Sequence, residues 1–300
     1  MTWLTPSNGP HPAELLRERL DARAPGLLVP GVFNGLSALL AKEAGAQALY
    51  LSGAAFSASM GLPDVGLVTL DELVRGARQI ARVTELPLIV DADTGFGGAL
   101  NVMRAVRELE GAGAAAIQIE DQRDPKRCGH LEGKQVSSAE AFAEKVAAAR
   151  SAADELIVVA RTDARSTHGF DEAVKRGTLY REAGADVIFP EALETEDEFA
   201  AYAQQVPGPL LANMTEFGKG PMLTAEKLFG LGYRIVIFPV SAARVAAKHV
   251  EAFYTDLLRE GSQAGWLERM LTREELYALI GYDGYAELDR SLARGEEPER

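Results

Sequence analysis

The 300-residue chain is 47% hydrophobic and 25% charged, and its 31 basic and 44 acidic side chains leave a formal net charge of −13. That length suits one large α/β barrel or two ordinary domains, and the acidic balance argues against nucleic acid or an anionic membrane as a partner. No apolar run reaches the ~20 residues of a membrane span, Met1 to Arg17 lacks a basic segment followed by an apolar core, and the lone cysteine excludes an internal disulfide framework, as expected of a reducing cytoplasm.

Along the chain one unit recurs: a helical periodicity, a glycine stop, then a short apolar strand with a polar end. An N-terminal helical segment over 1–24 leads to a first strand at 27–32 and a helix at 36–44. Gly45 stops that helix before a strand at 48–52, and a helix at 70–83 follows. Strand 87–93 with helix 101–112, strand 116–120 with helix 138–153, and strand 156–163 with helix 169–183 continue the series. Strand 187–191 with helix 194–205, strand 209–215 with helix 224–230, and strand 234–241 with helix 242–258 complete it. Apolar runs of about five to seven residues read as strands buried on both faces. Eight alternations predict a (β/α)8 TIM-type barrel, one domain over 1–300. A doubly wound open sheet is the main rival, but no G-x-G-x-x-G follows the first strand. The helical tail over 259–300 is not needed to close the barrel, so it is expected to pack on another element or another subunit.

Barrels of this kind carry their chemistry at the C-terminal ends of the strands. Here those ends hold Ser52, Asp91, Asp93, Glu120, Arg161, Asp163, Glu191, Asn213, Thr215 and Ser241. Asp91 and Asp93 have strand spacing and share a face if the strand continues. Glu120 arrives from the neighbouring strand, and Asp64 from the loop after the second. Each acid alone reads equally well as a helix cap or loop acid. Together, and with the Gly95-Phe-Gly97-Gly98 loop, they suit a hard cation such as Mg²⁺ with waters in its other positions.

A lone cysteine is most often a small buried hydrophobe. Cys128 instead lies in a polar stretch with Lys126 and Arg127 before it and His130 after it. Positive neighbours ease thiolate formation, which suits acid/base or nucleophilic work. His130 alone reads equally as a structural hydrogen-bonder, and His11, His168 and His249 support no functional reading. Arg161, Arg244 and Arg273 are candidates to bind carboxylates through the guanidinium fork. Arg161 leads by position, whereas a solvated helix face is the simpler reading of Arg244 and Arg273. Asn213-Met214-Thr215 offers polar contacts or a plain strand-to-loop turn.

The run Lys126-Arg-Cys128-Gly-His130 resembles the signature of the isocitrate lyase/phosphoenolpyruvate mutase superfamily, and the chain as a whole resembles its methylisocitrate branch. The likeness extends through Leu51-Ser-Gly53, Gly61-Leu-Pro-Asp64, Val90-Asp-Ala-Asp93, Ile119-Glu-Asp-Gln122 and Ala160-Arg-Thr-Asp163. It continues through Phe189-Pro-Glu191, Ala212-Asn-Met-Thr215, Pro239-Val-Ser241 and Leu271-Thr-Arg273. The resemblance implies a barrel assembled as a homotetramer that exchanges its eighth helix, and a retro-aldol cleavage of a 2-hydroxy tricarboxylate dependent on Mg²⁺, with Mn²⁺ as a possible substitute. From 2-methylisocitrate the products are pyruvate and succinate. Asp91 and Asp93 would hold the metal, with Asp64 and Glu120 acting through water. Ser52, Gly53 and Ala54 would contact the pyruvate half. Cys128 would be the proton donor on a gating loop with Gly129, and Lys126, His130 and Arg161 its catalytic neighbours. Arg161, Glu191, Asn213, Met214, Thr215, Arg244 and Arg273 would line the substrate pocket. The loop is expected to lie away from its working position in unliganded protein.

Two departures bear on the substrate. Ala54 stands where the family usually has a second glycine, and no phenylalanine precedes Arg244. Isocitrate cleavage, oxaloacetate decarboxylation and phosphonate mutase or hydrolase chemistry are the competing readings inside the superfamily. The phosphonate and oxaloacetate branches generally lack the Cys-Gly-His run. A catalytically silent binding barrel is the reading outside it.

Overall fold

A computed structural model describes residue 4 and residues 9–21, 23–129 and 133–295. The chain runs α1 (Pro12–Leu20), β1 (Leu27–Val32), α2 (Gly35–Glu43), β2 (Leu49–Leu51), α3 (Gly53–Ser59), α4 (Leu70–Thr84) and β3 (Leu88–Asp91). It continues α5 (Ala99–Gly111), β4 (Ala116–Glu120), α6 (Ala139–Ala152), β5 (Ile157–Thr162), α7 (Ala164–His168), α8 (Phe170–Glu182) and β6 (Val187–Pro190). Then come α9 (Glu196–Gln205), β7 (Leu211–Asn213), α10 (Ala225–Gly230), β8 (Ile235–Phe238) and α11 (Ser241–Glu260). A 3₁₀ turn (Ala264–Arg269), α12 (Arg273–Leu279) and α13 (Tyr282–Ala293) form the tail. The eight strands are hydrogen-bonded in the order β6-β5-β4-β3-β2-β1-β8-β7. A parallel bridge between Ile188 and Leu210 joins the two ends. The sheet is therefore the (β/α)8 barrel that the sequence predicts.

Strand alternation divides the apolar residues into two layers. Inward residues such as Val29, Tyr50, Ile89, Ala116, Val159, Val187, Leu211 and Ile235 fill the barrel. Outward residues such as Leu51, Val90, Ile117, Val158, Ile188, Ala212 and Val236 pack under the helices. Helix starts are fixed locally, as where Thr69 and Glu72 make a reciprocal cap on α4. β1 and β4 end where predicted, and the other six strands end one to three residues sooner, because the chain leaves the hydrogen-bonded ladder where the polar loops begin. Two short helices escaped prediction. α3 and α7 are seven and five residues long, too short to show a helical period.

The barrel floor is closed by α1. Ala13 and Leu16 are fully buried among the inward residues, and Arg17 donates to the Glu155 carbonyl at 3.0 Å. Deleting buried methyl groups there leaves a cavity that the strands cannot collapse into. Leu16→Ala is therefore expected to cost about 2–5 kcal/mol and to lower the thermal midpoint in calorimetry. A change within error would mean that α1 contributes nothing to the core.

Candidate active site

The alternation that fills the barrel also delivers its polar rim. Two residues beyond inward Tyr50, Ile89, Gln118, Val159, Phe189 and Leu211 stand Ser52, Asp91, Glu120, Arg161, Glu191 and Asn213. With Ala54, Asp64, Lys126, Cys128, Gly129 and Thr215 they surround a cavity of about 50 Å³ at the C-terminal mouth. That space holds one or two waters, not a tricarboxylate.

One side of the mouth is acidic. β3 ends at Asp91, and Asp93 follows in the left-handed region at φ 49°. The strand therefore does not continue as expected, and a turn returns Asp93 to the same space. Asp91 accepts hydrogen bonds from Gln118 Nε2 at 3.0 Å, from the Gly53 amide at 3.1 Å and from the Asp93 amide at 3.3 Å. The Tyr50 hydroxyl in turn donates to Gln118. A Cβ at Gly53 would lie 3.1 Å from an Asp91 oxygen and 3.3 Å from one of Asp93. Lys126 pairs with Asp64 and, at 2.7 Å, with Asp93. Burial raises Asp93 to about 6; Asp91 adds to the rise and Lys126 opposes it. Burial likewise pushes Glu120 well above the usual carboxylate range, against the pull of Arg161. Burial alone would lower the Lys126 ammonium, but Glu120, Asp93, Asp91 and Asp64 outweigh it and hold the lysine charged.

These groups fit a divalent cation. Among the described residues no three His, Cys, Asp or Glu side chains form a complete metal cage. Mg²⁺ does not need one, because it is usually held by one or two carboxylates and keeps several waters. The Asp91 and Asp93 oxygens converge over Gly53, and Glu120 keeps a buried Oε1 without a hydrogen-bond partner.

The opposite side is built on Arg161. Asp163 accepts from its Nε at 2.9 Å and Nη2 at 3.2 Å. Glu120 and Glu191 stand further off, at 3.4 and 3.6 Å. Asn213 donates to Glu191 at 3.1 Å, and the guanidinium lies 5.2 Å from the Phe189 ring centre. Thus Arg161 carries an anion-binding fork against an aromatic wall.

The loop with Cys128 leaves β4 and returns along itself. Gln122 and Val136 form an antiparallel bridge. The Gln122 side chain holds the Arg127 backbone at both ends, accepting at 3.0 Å and donating at 2.8 Å. Asp124 accepts from Thr94 at 3.0 Å, which ties this loop to the one after β3. Gly129 is pressed against the rim: a Cβ there would meet Arg161 Nη2 at 2.4 Å and Glu191 at 2.8 Å. The loop was expected to stand away from the mouth. It is packed into it, because Gly129 lets its backbone reach Arg161 and Glu191.

The structure thus brings together Ser52, Gly53, Ala54, Asp64, Asp91, Asp93, Glu120, Lys126, Cys128, Gly129, Arg161, Glu191, Asn213 and Thr215. His130 lies outside the described residues. Met214 does not reach the mouth; it is buried in the outer apolar layer, since its neighbours point inward. Arg244 is partly exposed and pairs with Glu216 at 2.6 Å, reaching only the Thr215 hydroxyl at 3.4 Å. Arg273 is exposed on α12, which packs along α2, and does not line the mouth. Sequence reasoning missed Tyr50, Gln118 and Phe189, although each stands two residues before a predicted site residue on its strand. It missed Lys134 as well, which no spacing marks.

Residues 16–258 match the family described as phosphoenolpyruvate phosphomutase. The chain is 48% identical over 300 residues to the 2-methylisocitrate lyase of Bacillus subtilis (strain 168), with 100% of both covered. A crystal structure of 2,3-dimethylmalate lyase, described as a PEP mutase/isocitrate lyase superfamily member, superposes with a TM-score of 0.90 at 35% identity, covering 97% of this chain and 100% of that one. Phosphonopyruvate hydrolase in a complex with oxalate and Mg²⁺ superposes with a TM-score of 0.83 at 32% identity, covering 98% and 99%.

The raised Asp93 carboxyl has a consequence for stability. Its folded-state pKa of about 6 exceeds the ordinary 3.8, so its stabilising contribution is present at low pH and lost as pH rises through 6. Asp93→Asn removes that cost. In chelator, calorimetry at pH 7.5 is expected to show the variant melting about 2 °C or more above the parent, with the gap closing toward pH 4. The same variant should bind divalent metal at least about tenfold more weakly in titration calorimetry. Equal melting at pH 7.5 would show that Lys126 compensates Asp93 in full.

Proposed function

The chain belongs to the phosphoenolpyruvate mutase/isocitrate lyase superfamily, and on that premise we propose that it is a carbon–carbon lyase that splits 2-methylisocitrate into pyruvate and succinate. The observation that carries the reading is that Cys128 shares one small cavity with the metal-type carboxylate Asp91 and the anion-type fork of Arg161. A thiol, a carboxylate pair and a guanidinium are the three groups that this cleavage needs together.

Asp91 and Asp93 would hold Mg²⁺ or Mn²⁺, with Asp64 and Glu120 acting through water. Bound there, such an ion supplies stabilisation of negative charge on substrate oxygen. Ser52, Gly53 and Ala54 take the pyruvate half. Arg161, Asn213 and Thr215 take the carboxylates of the succinate half. As the 2-hydroxyl gives up its proton to solvent and C2 becomes the pyruvate carbonyl, the C2–C3 bond breaks and leaves its electron pair on a carbon beside a carboxylate, and Arg161 steadies that carboxylate as charge spreads onto it. Cys128 Sγ gives its proton to that carbon, and in the reverse condensation takes it back. Substrate entry requires the 126–129 segment to open, since the cavity as packed is too small to admit a tricarboxylate, and the segment then returns to its place against Arg161.

We infer in addition a homotetramer that exchanges its eighth helices. No residue of the twenty-residue α11 is buried. The outward face of β1 lacks the cover that a barrel helix gives: Leu28 is 49% exposed, and Leu36 and Leu40 of α2 nearly as much. A second copy's apolar helix face, here Val245, Tyr254 and Leu258, matches that opening. Sedimentation at four times the 32.2 kDa chain mass is the expected result, and a monomer would overturn the exchange. A cytoplasmic location fits a reaction that needs a reduced thiol, and no helix among the described residues is long and apolar enough to cross a membrane.

The assay follows pyruvate, glyoxylate and succinate from 2-methylisocitrate, isocitrate, 2,3-dimethylmalate and oxaloacetate, with Mg²⁺ or with chelator. Release of pyruvate and succinate from 2-methylisocitrate, lost in chelator, is expected. Absence of cleavage of every one of these acids would defeat the lyase reading. Cys128→Ser should lower kcat by about 10³-fold while metal binding stays within twofold. A variant with full turnover would remove Cys128 from proton transfer.

A further inference from the structure

Lys134 is a lysine with a side chain only 1% exposed, and nothing in the proposed chemistry uses it. Its ammonium donates to two groups at once. One is Asp163, at 2.6 Å. The other is the Gly129 backbone carbonyl, the residue after Cys128. Asp163 in turn clamps Arg161 through Nε and Nη2, and Nη2 is the atom pressed against Gly129. The contacts therefore close a ring: Lys134 to Asp163, Asp163 to Arg161, Arg161 against Gly129, and Gly129 back to Lys134.

The ring is anchored from behind. The Asp163 amide donates to Asp121 at 2.9 Å. Asp121 also accepts from Thr162 at 2.8 Å, Tyr180 at 2.9 Å and Arg176 at 3.0 Å. A buried ion pair is weak support for stability, because desolvation offsets much of the attraction. Arg161 alone would satisfy the Asp163 charge. What Lys134 adds is a connection between the loop backbone and the strand that carries the anion-binding fork.

We propose that Lys134 and Asp163 are positioning residues that set Cys128 in register with Arg161. The inference rests on the lyase reading for its consequence in catalysis, but not for its geometry. It acts through the Gly129 carbonyl: with that oxygen held, the preceding thiol is fixed relative to the carboxylate that Arg161 receives. Misplacement of a reacting group by about 1 Å costs on the order of 10²-fold in rate.

The test uses the sole cysteine. Iodoacetamide alkylation of Cys128 in the Mg²⁺-loaded full-length protein is followed by intact mass for the parent, Lys134→Met, Lys134→Gln and Lys134→Arg. Freed from its register, Cys128 should alkylate at least about tenfold faster in the Met and Gln variants. Loss of a cation alone would act the other way, because positive neighbours favour the reactive thiolate. With 2-methylisocitrate, kcat should fall about 10²-fold while Mg²⁺ affinity stays within twofold, and Lys134→Arg should recover part of both. The readout is taken on each variant with parental circular dichroism, so a misfolded Met variant leaves Gln and Arg to decide. Parental or slower alkylation in the folded neutral variant would overturn the proposal, whatever happens to kcat. Faster alkylation in a protein that cleaves none of the tested acids would uphold the register and defeat the lyase reading instead.

Discussion

The structure depends on one geometric constraint: in a closed parallel barrel, side chains alternate between the lumen and the helix layer. Tyr50 and Ser52, Gln118 and Glu120, Val159 and Arg161, and Phe189 and Glu191 are pairs on one face. The lower member packs the lumen and the upper one reaches the mouth. Slipping a strand by one residue would exchange the faces, sending Glu120 or Arg161 under a helix and Ile119 or Ala160 into the mouth. Register is held by both apolar layers at once, so the residues that make the core also place the site.

The mouth gathers more buried charge than a stable core would choose, and it does so unevenly. Around Arg161 the charges are matched: Asp163 takes two guanidinium hydrogens and the Lys134 ammonium. Around Asp93 and Glu120 they are not. Burial drives both carboxyls toward the protonated form, Lys126 and Arg161 restore only part of the balance, and Glu120 leaves an oxygen unbonded. A divalent cation suits the deficient half. Added to Lys126 and Arg161, it would offset much of the acidic charge of the mouth inside a chain of net charge −13, which lowers the repulsion that an anionic substrate meets.

Most of this was legible in the sequence because the strands are written as apolar runs between glycine stops. β1 and β4 fall where predicted to the residue, while β3, β5, β7 and β8 end sooner, since polar residues continue the extended pattern after the ladder has stopped. The same alternation rule resolves Met214, which cannot share a face with both Asn213 and Thr215. Arg244 and Arg273 stand on helices beyond the barrel, where periodicity says nothing about which surface they face. The packed state of the Cys128 loop was not legible either. It comes from long-range contacts of Gly129 and Lys134 with β5 and β6, and no local spacing encodes them.

Those contacts also indicate how the packed loop and a substrate carboxylate share Arg161. Asp163 grips the Nε and Nη2 edge at 2.9 and 3.2 Å, whereas Glu191 stands 3.6 Å from Nη1. An incoming carboxylate therefore competes with the loose partner and leaves the tight one in place. The Nη2 edge is the one that Gly129 covers, so the loop occupies the side of the guanidinium that the substrate does not need. Loop packing and anion binding are then compatible at one arginine. Any side chain at position 129 would set them against each other, by pushing Arg161 toward Glu191 and closing the free edge.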